Sequence, residues 1–312
     1  MSSLTDMDDD PSLIQPEGTI RYIALGSAGA VFQDSSDRVI KTPLKHDVTG
    51  CSQQVIETVQ HIESISELCI SREKLIYQTL PKNPNVLDCL AITDRGLHFP
   101  YHRLGNLREY MQHNEIRSHT RDQWIQNAID AVALIHSYGV IHADISPRNF
   151  LVAEDLSIKL CDFAGSVIGD LKPLVEEEDR YRISPWSPRT FKTDLFALGC
   201  LIYEISTGVR PYNEIDDLEE IERLYSANVF PNLEGLRYRD VINKCWTSQY
   251  ASAGMLQDDF SLCFIRDKGL DDPSSRRHLC SNLFQSPSIR MALGFASAVS
   301  AFFWIYRKRN WR

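Results

Sequence analysis

The spacing of hydrophobic and polar residues changes part-way along the chain. Between residues 20 and 100, short apolar runs rich in β-prone residues are separated by turn residues, which is typical of strands. The predicted strands are 20–25, 30–32, 38–41, 86–93 and 97–100. One stretch among them instead has a helical period, with apolar side chains at Ile62, Ile65, Cys69, Ile76 and Leu80.

From Leu104 onward the spacing is helical almost throughout. Trp124, Ala128, Val132 and Ile135 form one stripe that ends before Gly139, a residue type that often terminates helices. Further helices are predicted at 194–207, 218–228, 238–246 and 251–264. The first of these is apolar on almost every side, so we expect it to be buried. The pattern therefore predicts an α+β fold, with a β-rich part followed by a larger helical part.

The length allows one domain of roughly 250 residues with extensions at both ends. We expect a disordered acidic leader at 1–17, a β-rich part at 18–102 and a helical part at 103–265. A polar linker at 266–290 and a hydrophobic segment at 291–312 follow.

Charge is distributed unevenly along the chain. The net charge is −9, but residues 262–312 hold nine basic and three acidic residues, a balance of +6 that leaves −15 elsewhere. An acidic main body argues against nucleic acid as a partner. The eight cysteines form no C-x-x-C pair, and the polar N-terminus does not resemble a secretory signal, so we expect a reduced, cytoplasm-facing location.

The final hydrophobic segment has two open interpretations. Residues 291–306 are uncharged and lie between Arg290 and the basic residues 307–309. As a helix they would extend roughly 24 Å, which is short for a hydrocarbon core of about 30 Å. The segment is therefore either a short tail anchor in an intracellular membrane or a segment without a membrane role, which would be a helix packed on the helical part or an irregular end.

Two strings in the middle of the chain carry the candidate chemistry. The first, V-I-H-A-D-I-S-P-R-N-F-L at 140–151, contains Asp144 and Asn149, and the second, I-K-L-C-D-F-A-G at 158–165, contains Asp162. This spacing suits a site where one carboxylate orients a hydroxyl and the other two groups hold Mg²⁺ against nucleotide phosphates. The structural alternative is that the Asp and Asn side chains only cap turns.

The two strings resemble the H-R-D-x-x-x-x-N and D-F-G motifs of eukaryotic-type protein kinases, most closely those of a divergent fungal-type group. The resemblance implies a bilobal fold with ATP between a small β-rich lobe and a larger helical lobe. It also implies that Asp144 is the catalytic aspartate, that Asn149 and Asp162 are Mg²⁺ ligands, and that the substrate is a protein hydroxyl.

On the nucleotide side, A-L-G-S-A-G-A-V at 24–31 resembles the glycine-rich loop, with Ala24 in place of the first glycine. Glycines let backbone amides approach phosphate oxygens closely. The resemblance implies nucleotide contacts from residues of this loop, of the strand that follows it and of the strand before the helical part. They are Gly26, Ser27, Gly29, Val31, Phe99 and Tyr101.

Lys41 ends a predicted strand, like the kinase V-A-I-K lysine, and is expected to hold the α- and β-phosphates. Glu73 lies on the apolar stripe of the first predicted helix, where a charge would face the interior and require a cationic partner. Glu67 is the rival partner, but its face is easily solvated. We therefore expect an ion pair between Lys41 and Glu73.

Some positions depart from the family pattern. Ala143 replaces the H-R-D arginine, which removes a receptor for a phosphorylated loop, and the acidic run 176–179 would repel an added phosphate. Arg148, four residues after the catalytic aspartate, is expected to supply charge to the γ-phosphate. Ala164 replaces the D-F-G glycine, although Gly165 follows it.

Two later positions bear on the same resemblance. Arg189 stands in S-P-R, where the family has the glutamate of A-P-E. Asp194 matches the aspartate that, in protein kinases, braces the backbone of the catalytic loop.

Three functions remain open from the sequence. The first is an ATP- and Mg²⁺-dependent protein kinase, of serine/threonine rather than tyrosine preference. The second is a nucleotide-binding pseudokinase scaffold, which the substitutions Ala24, Ala143, Ala164 and Arg189 favour. The third is a small atypical kinase similar to the ATPase subunit of the tRNA-modifying KEOPS complex, against which Asp194 and the later helices argue.

Overall fold

The computed structural model describes residues 10–26 and 28–267. Its strands are β1 (Ser12–Leu13), β2 (Arg21–Leu25), β3 (Ala30–Gln33), β4 (Arg38–Thr42), β5 (His46–Asp47), β6 (Ala91–Thr93), β7 (Gly96–Pro100), β8 (Val140–Ile141), β9 (Phe150–Val152), β10 (Ile158–Leu160) and β11 (Val167–Ile168). Its helices are α1 (Gln53–Thr79), α2 (Leu107–His113), α3 (Ser118–Ser137), α4 (Phe191–Thr207), α5 (Leu218–Ser226), α6 (Arg239–Trp246) and α7 (Ala253–Asp267). Short 3₁₀ turns lie at Pro147–Asn149 and Asp179–Tyr181. The predicted mixture of helices and strands is confirmed.

Five antiparallel strands form the main sheet, in the order β2-β3-β4-β7-β6. Lys41 lies on the central strand β4, opposite Val31 on one side and Leu97 on the other. The strand predicted at 86–93 is shorter than expected. Val86 bridges Leu160 of β10, and the backbone N–H of Leu87 donates to the Leu160 carbonyl, so this backbone pairs with the helical part instead of the sheet.

Helix α1 is longer than predicted, and its buried face differs from the predicted stripe. Cys69 and Ile76 are buried, but Ile62 and Ile65 are 42% and 40% exposed. In the first half of the helix the buried positions are instead Val59 and Ser66. The Ser66 hydroxyl provides the reason, because it donates to one backbone carbonyl and accepts from one backbone N–H, which satisfies a polar residue on the inner face.

Part of the expected disordered leader is ordered. Ser12 and Leu13 form β1, which pairs with β5. Leu13 packs against the cluster of Ala30, Phe32, Ile40 and Leu44. The prediction of disorder was therefore wrong for these residues, because Leu13 covers an apolar surface that the sheet would otherwise expose to water.

The helical part is built around α4, which is buried on nearly every side, as its apolar pattern predicted. Gly199 permits the close approach of α4 to α6. A Cβ at this position would lie 2.6 Å from the Cβ of Cys245 and 3.2 Å from Cδ1 of Trp246. The absence of a side chain at Gly199 therefore sets the distance between these two helices.

Among the residues that the structure describes, no helix has the length and apolar composition needed to cross a membrane. The hydrophobic segment at 291–306 and most of the expected linker lie outside the described residues.

The contact at Gly199 predicts opposite effects for two glycine-to-alanine substitutions. Gly199→Ala should lower the free energy of unfolding by about 1–3 kcal/mol, because the added methyl overpacks the α4–α6 contact. Gly254→Ala is the matched control in α7, where a Cβ would meet its nearest atom at 3.7 Å. It should stabilise by up to about 1 kcal/mol, as expected for alanine in place of helical glycine. Urea unfolding followed by circular dichroism measures both, and equal effects would contradict the packing argument.

Candidate active site

The turn that carries Asp144 is held by hydrogen bonds to the carboxylate of Asp194, which is fully buried. Asp194 Oδ2 accepts the backbone N–H of His142 at 2.7 Å, and Oδ1 accepts that of Ala143 at 2.9 Å. Ala143 has φ 64°, a left-handed conformation that costs roughly 1–2 kcal/mol for a residue other than glycine. The expected bracing of this loop by Asp194 is confirmed, and its hydrogen bonds offset that strain.

Asp144 and Asn149 face each other across this turn. Asn149 Nδ2 donates to Asp144 Oδ2 at 2.8 Å and to the Asp144 carbonyl at 2.7 Å. These bonds use the amide nitrogen and leave Asn149 Oδ1 directed away from them. Burial raises the pKa of Asp144, while the His142 ring and the Asn149 hydrogen bond act in the opposite direction.

Asp162 follows β10 and also has a left-handed backbone, with φ 64°. The next residue, Phe163, is fully buried, and its ring lies 5.3 Å from that of Tyr77 on α1 and 5.2 Å from that of His142. The Phe163 N–H also donates to Glu73 Oε1 at 3.3 Å. The aromatic contacts therefore join helix α1, through the residue beside Asp162, to the turn at 142–149 that carries Asp144, which we call the catalytic turn after its expected role.

The expected ion pair between Lys41 and Glu73 is present. Lys41 Nζ lies 2.7 Å from Glu73 Oε2 and 2.7 Å from Asp162 Oδ1. Although burial opposes the charge on Lys41, the two carboxylates raise its pKa above the ordinary range. Burial alone would raise the pKa of Asp162, but the charge and hydrogen bond of Lys41 hold it below the usual value. Burial raises the pKa of Glu73, and the charge of Lys41 opposes that rise. One cation therefore joins strand β4, helix α1 and the turn after β10.

The glycine turn lies between β2 and β3, next to this ion-pair cluster. Gly26 N–H donates to the Gly29 carbonyl at 2.9 Å, and a Cβ on Gly29 would lie 2.5 Å from the Thr42 carbonyl oxygen. Glycine is therefore required where the turn passes β4. Ala28 is buried against Cys69 of α1 and Ala164, so the turn is folded toward the Asp162 segment. Ser27 lies outside the described residues.

The remaining predicted nucleotide contacts lie together in an apolar cluster. Phe99 is buried in it, and Val31 and Tyr101 pack against it at partly exposed positions. Leu151, just after the catalytic turn, and Cys161, just before Asp162, belong to the same cluster. The structure therefore brings side chains of the sheet against both strings that the sequence singled out.

Arg148, which was expected to contact the γ-phosphate, forms an ion pair with Glu178 in the structure. Its Nε lies 3.2 Å from Glu178 Oε2, and the Glu178 backbone N–H donates to Asp144 Oδ1 at 3.3 Å. The acidic run 176–179 thus reaches the catalytic turn, a contact that the sequence did not predict.

The rest of the acidic run is also matched by arginines. Glu177 and Arg189 form a buried pair at 3.1 Å. Arg182 lies 3.2 Å from Glu176 and 2.6 Å from Asp179. Arg189, which departs from the family glutamate, therefore has a carboxylate partner supplied by the acidic run.

Sequence reasoning missed the cluster of Arg108, Tyr181 and Glu204. Arg108 donates to Glu204 Oε1 at 2.9 Å and to Oε2 at 3.0 Å, and the Tyr181 hydroxyl donates to the same carboxylate. One signal could have revealed Glu204, because it is an acidic residue in a helix predicted to be buried on every side and so requires a partner. No local pattern distinguishes Arg108 from an ordinary surface arginine of a short helix.

Arg72 was missed as well. It is buried on α1 and donates to the backbone carbonyls of Ser166 and Lys172. A Cβ on Gly165 would lie 1.9 Å from Cγ2 of Val175, so this glycine is required by a close approach. Arg72 therefore holds the segment after Asp162 against α1, and Gly165 allows two parts of that segment to pack against each other.

Comparison with known proteins agrees with this geometry. The family model described as the protein kinase domain matches residues 45–252, more than half of the chain. The chain belongs to the protein kinase family. The matched region includes the Glu73 helix, the catalytic turn and Asp162, but begins after Lys41 and the glycine turn.

Individual relatives are similar over shorter regions. The chain is 29% identical over 167 residues to 3-phosphoinositide-dependent protein kinase 1 of Arabidopsis thaliana, which covers 46% of this chain and 31% of that protein. It is 32% identical over 117 residues to the serine/threonine-protein kinase PDK1 of Cryptococcus neoformans var. grubii, and the match covers 33% of this chain and 10% of that protein. It is 27% identical over 220 residues to the Aurora kinase of Eremothecium gossypii, and this match covers 64% of this chain and 58% of that protein. The match spans less than a third of the length of the first two relatives.

The bracing role of Asp194 predicts a large loss of stability in Asp194→Asn. An amide presents an N–H group where one of the two backbone N–H donors needs an acceptor, so the variant should lose about 3 kcal/mol of unfolding free energy. Asp170→Asn, at an exposed position, is the matched control and should change stability by less than about 0.5 kcal/mol. Chemical denaturation measures both, and equal midpoints for Asp194→Asn and the unmodified protein would contradict the argument.

Proposed function

We propose that this protein is an ATP- and Mg²⁺-dependent protein kinase that transfers the γ-phosphate to a protein hydroxyl, with serine/threonine preference. The observation that carries the proposal is the cation of Lys41 held between Glu73 and Asp162, close to the Asp144–Asn149 pair. Such an arrangement serves phosphoryl transfer, in which positioning and electrostatic stabilisation supply almost all of the catalysis. The serine/threonine preference is supported by the similarity to the serine/threonine-protein kinase PDK1 of Cryptococcus neoformans var. grubii.

The oxygen atoms available at the site fit a magnesium ion. In the described part of the chain, Asn149 Oδ1 and Asp162 Oδ2 accept no hydrogen bond. The other polar atom of each side chain is engaged, because Asn149 Nδ2 donates to Asp144 and Asp162 Oδ1 accepts from Lys41. No group of three His, Cys, Asp or Glu residues suitable for a metal occurs among residues 10–26 and 28–267. Mg²⁺ characteristically uses one or two protein oxygens together with substrate phosphates and water. When bound, it would neutralise charge on the β- and γ-phosphate oxygens.

The chain's own groups divide the remaining work. Val31, Phe99 and Tyr101 offer apolar contact to the adenine, and Lys41 offers its charge to the α- and β-phosphates. Gly26 and Gly29, with Ser27 between them, would allow backbone amides to approach the phosphates.

Asp144 is positioned to orient the substrate hydroxyl and to accept its proton. Its Oδ2 is fixed by Asn149, and within the described residues its Oδ1 accepts only the long bond from Glu178 N–H, at 3.3 Å. A hydroxyl can replace that weak donor. Contact of Arg148 with the γ-phosphate stays a prediction, and it requires the Arg148–Glu178 pair to open.

One observation favours a pseudokinase as the second candidate. The N–H of Glu178 already occupies the oxygen of Asp144 that a substrate hydroxyl would use, and the side chain of Glu178 neutralises Arg148. If these contacts persist with nucleotide bound, the protein would bind ATP without transferring phosphate.

Phosphate transfer distinguishes the candidates. The full-length protein should transfer labelled phosphate from Mg²⁺-ATP to generic protein substrates, and chelation of Mg²⁺ should abolish the transfer. Asp144→Asn should reduce the rate by at least about a hundredfold, because it removes the proton acceptor without removing the Asn149 contact. Asp162→Ala should be inactive for lack of a metal ligand, while Asp94→Asn, at an exposed turn, is the matched control with full activity.

Each other result has a defined meaning. Nucleotide binding by calorimetry without transfer to any protein would support the pseudokinase. ATP hydrolysis without transfer to generic proteins would support the atypical ATPase similar to the KEOPS subunit. Activity that survives in Asp144→Asn would contradict the catalytic assignment.

We also propose that residues 291–306 anchor the protein to an intracellular membrane, with the kinase domain facing the cytoplasm. The support is the uncharged run with basic flanks in the sequence. Truncation after Ser288 should shift the protein from the membrane fraction to the supernatant after carbonate extraction. Identical fractionation of the truncated and full-length proteins would refute the anchor.

A further inference from the structure

Three arginines from separate elements converge on the carboxylate of Glu178. Arg108 of α2 lies 2.7 Å from Oε1, Arg148 of the catalytic turn 3.2 Å from Oε2, and Arg210, which follows α4, 4.0 Å from Oε1. These arginines are separated by at least 40 residues along the chain, so the cluster exists only in the folded protein.

The charges in this cluster do not balance. Arg108 is only 12% exposed and is fully engaged, since it also forms two hydrogen bonds to Glu204. If Glu204 neutralises the charge of Arg108, then the single negative charge of Glu178 is shared by two positive charges, those of Arg148 and Arg210. Within the described part of the chain, neither of these two arginines forms another ion pair. Among the described residues, one guanidinium of this cluster is therefore left without a carboxylate of its own within ion-pair distance, although the carboxylate of Asp144 acts on Arg148 at longer range.

The excess charge is accessible to a ligand. The side chains of Arg148 and Arg210 are 53% and 40% exposed, whereas Glu178 is only 13% exposed. The acidic residues that follow Arg210, at 214–220, form no ion pair with it in the described chain. A guanidinium group offers a planar set of donors that matches a carboxylate.

The position of the cluster connects it to the acceptor site. The backbone N–H of Glu178 contacts Asp144, so the carboxylate to which the arginines converge belongs to the residue that touches the catalytic aspartate. A hydroxyl that is brought to Asp144 Oδ1 therefore lies beside the backbone of residue 178. A side chain close to that hydroxyl along the peptide can then reach the two exposed guanidinium groups.

We propose that Arg210, beside the Glu178–Arg148 pair, recognises an acidic side chain of the protein substrate close to the phosphorylated residue. Arg210 is then a specificity-determining residue, and the inference rests on the proposed function for the identity of the ligand. The positive charge of Arg210 would contribute to substrate specificity in two ways, because it attracts an acidic peptide and repels a basic one. The alternative is that Arg210 only helps to hold Glu178 in place, which would affect all substrates equally.

Three serine peptides that differ at the positions flanking the serine, with aspartate, alanine or lysine, test the proposal. Binding is measured by fluorescence anisotropy with the full-length protein, and phosphate transfer is measured in parallel with Mg²⁺-ATP. The unmodified protein should favour the aspartate peptide over the alanine peptide on the order of fivefold, the range of an exposed ion pair. Arg210→Glu should reverse the order so that the lysine peptide binds best, and Arg210→Lys should retain the acidic preference.

Arg223→Glu is the matched control. Arg223 is 70% exposed on α5, where it pairs with Glu220, and its reversal should leave the ratio between the peptides unchanged. Thermal melting checks that each variant is folded, and if Arg210→Glu is not, Arg210→Gln should bring the aspartate and alanine peptides to equal affinity.

The proposal is overturned if the unmodified protein binds the three peptides equally. It is also overturned if Arg210→Glu changes all three affinities by the same factor, as a purely structural role requires. Absence of phosphate transfer with an intact acidic preference in binding would instead contradict the proposed kinase activity and leave the recognition site standing.

Discussion

The charge of Lys41 is the constraint on which the site depends. A buried ammonium group is costly unless it is paired, and here its two carboxylate partners come from helix α1 and from the turn after β10. Strand β4, helix α1 and the Asp162 turn must therefore approach within ion-pair distance. Loss of either partner would leave unbalanced charge in the interior, so the same interaction that positions the lysine proposed to bind phosphate also ties the segments together.

The left-handed backbone at Ala143 and Asp162 is a second constraint of the same kind. Neither residue is glycine, and each conformation costs free energy that the surroundings have to offset. At Ala143 the compensation comes from Asp194, and at Asp162 it comes from Lys41 and from the buried ring of Phe163. The polar residues of the site are therefore oriented partly by one another and partly by groups outside the site, among them Asp194 of helix α4, which carries no predicted catalytic residue.

The acidic run 176–179 explains how the segment after Asp162 is held without the arginine that Ala143 replaces. Each of its four carboxylates has an arginine partner, and Arg182 and Arg189 are largely buried. Ion pairs of this kind are less screened by salt than exposed ones. The acidic run was expected to repel an added phosphate. In the structure its carboxylates are paired with the arginines that such a phosphate would need as partners. Glu178 at the same time links this segment to Asp144, the proposed acceptor of the substrate proton.

The sequence by itself determined the composition of the site. The spacing of Asp144, Asn149 and Asp162 between apolar runs, and a charge at Glu73 on a helical stripe, identified the residues that meet, because strand and helix periods are local properties. Tertiary structure alone decided which arginine pairs with which carboxylate. Arg108, Arg148 and Arg210 reach Glu178 through segments far apart in the chain, and many pairings of surface charges satisfy the same local pattern. Only the path of the intervening loops selects one of them, and no local period encodes that path.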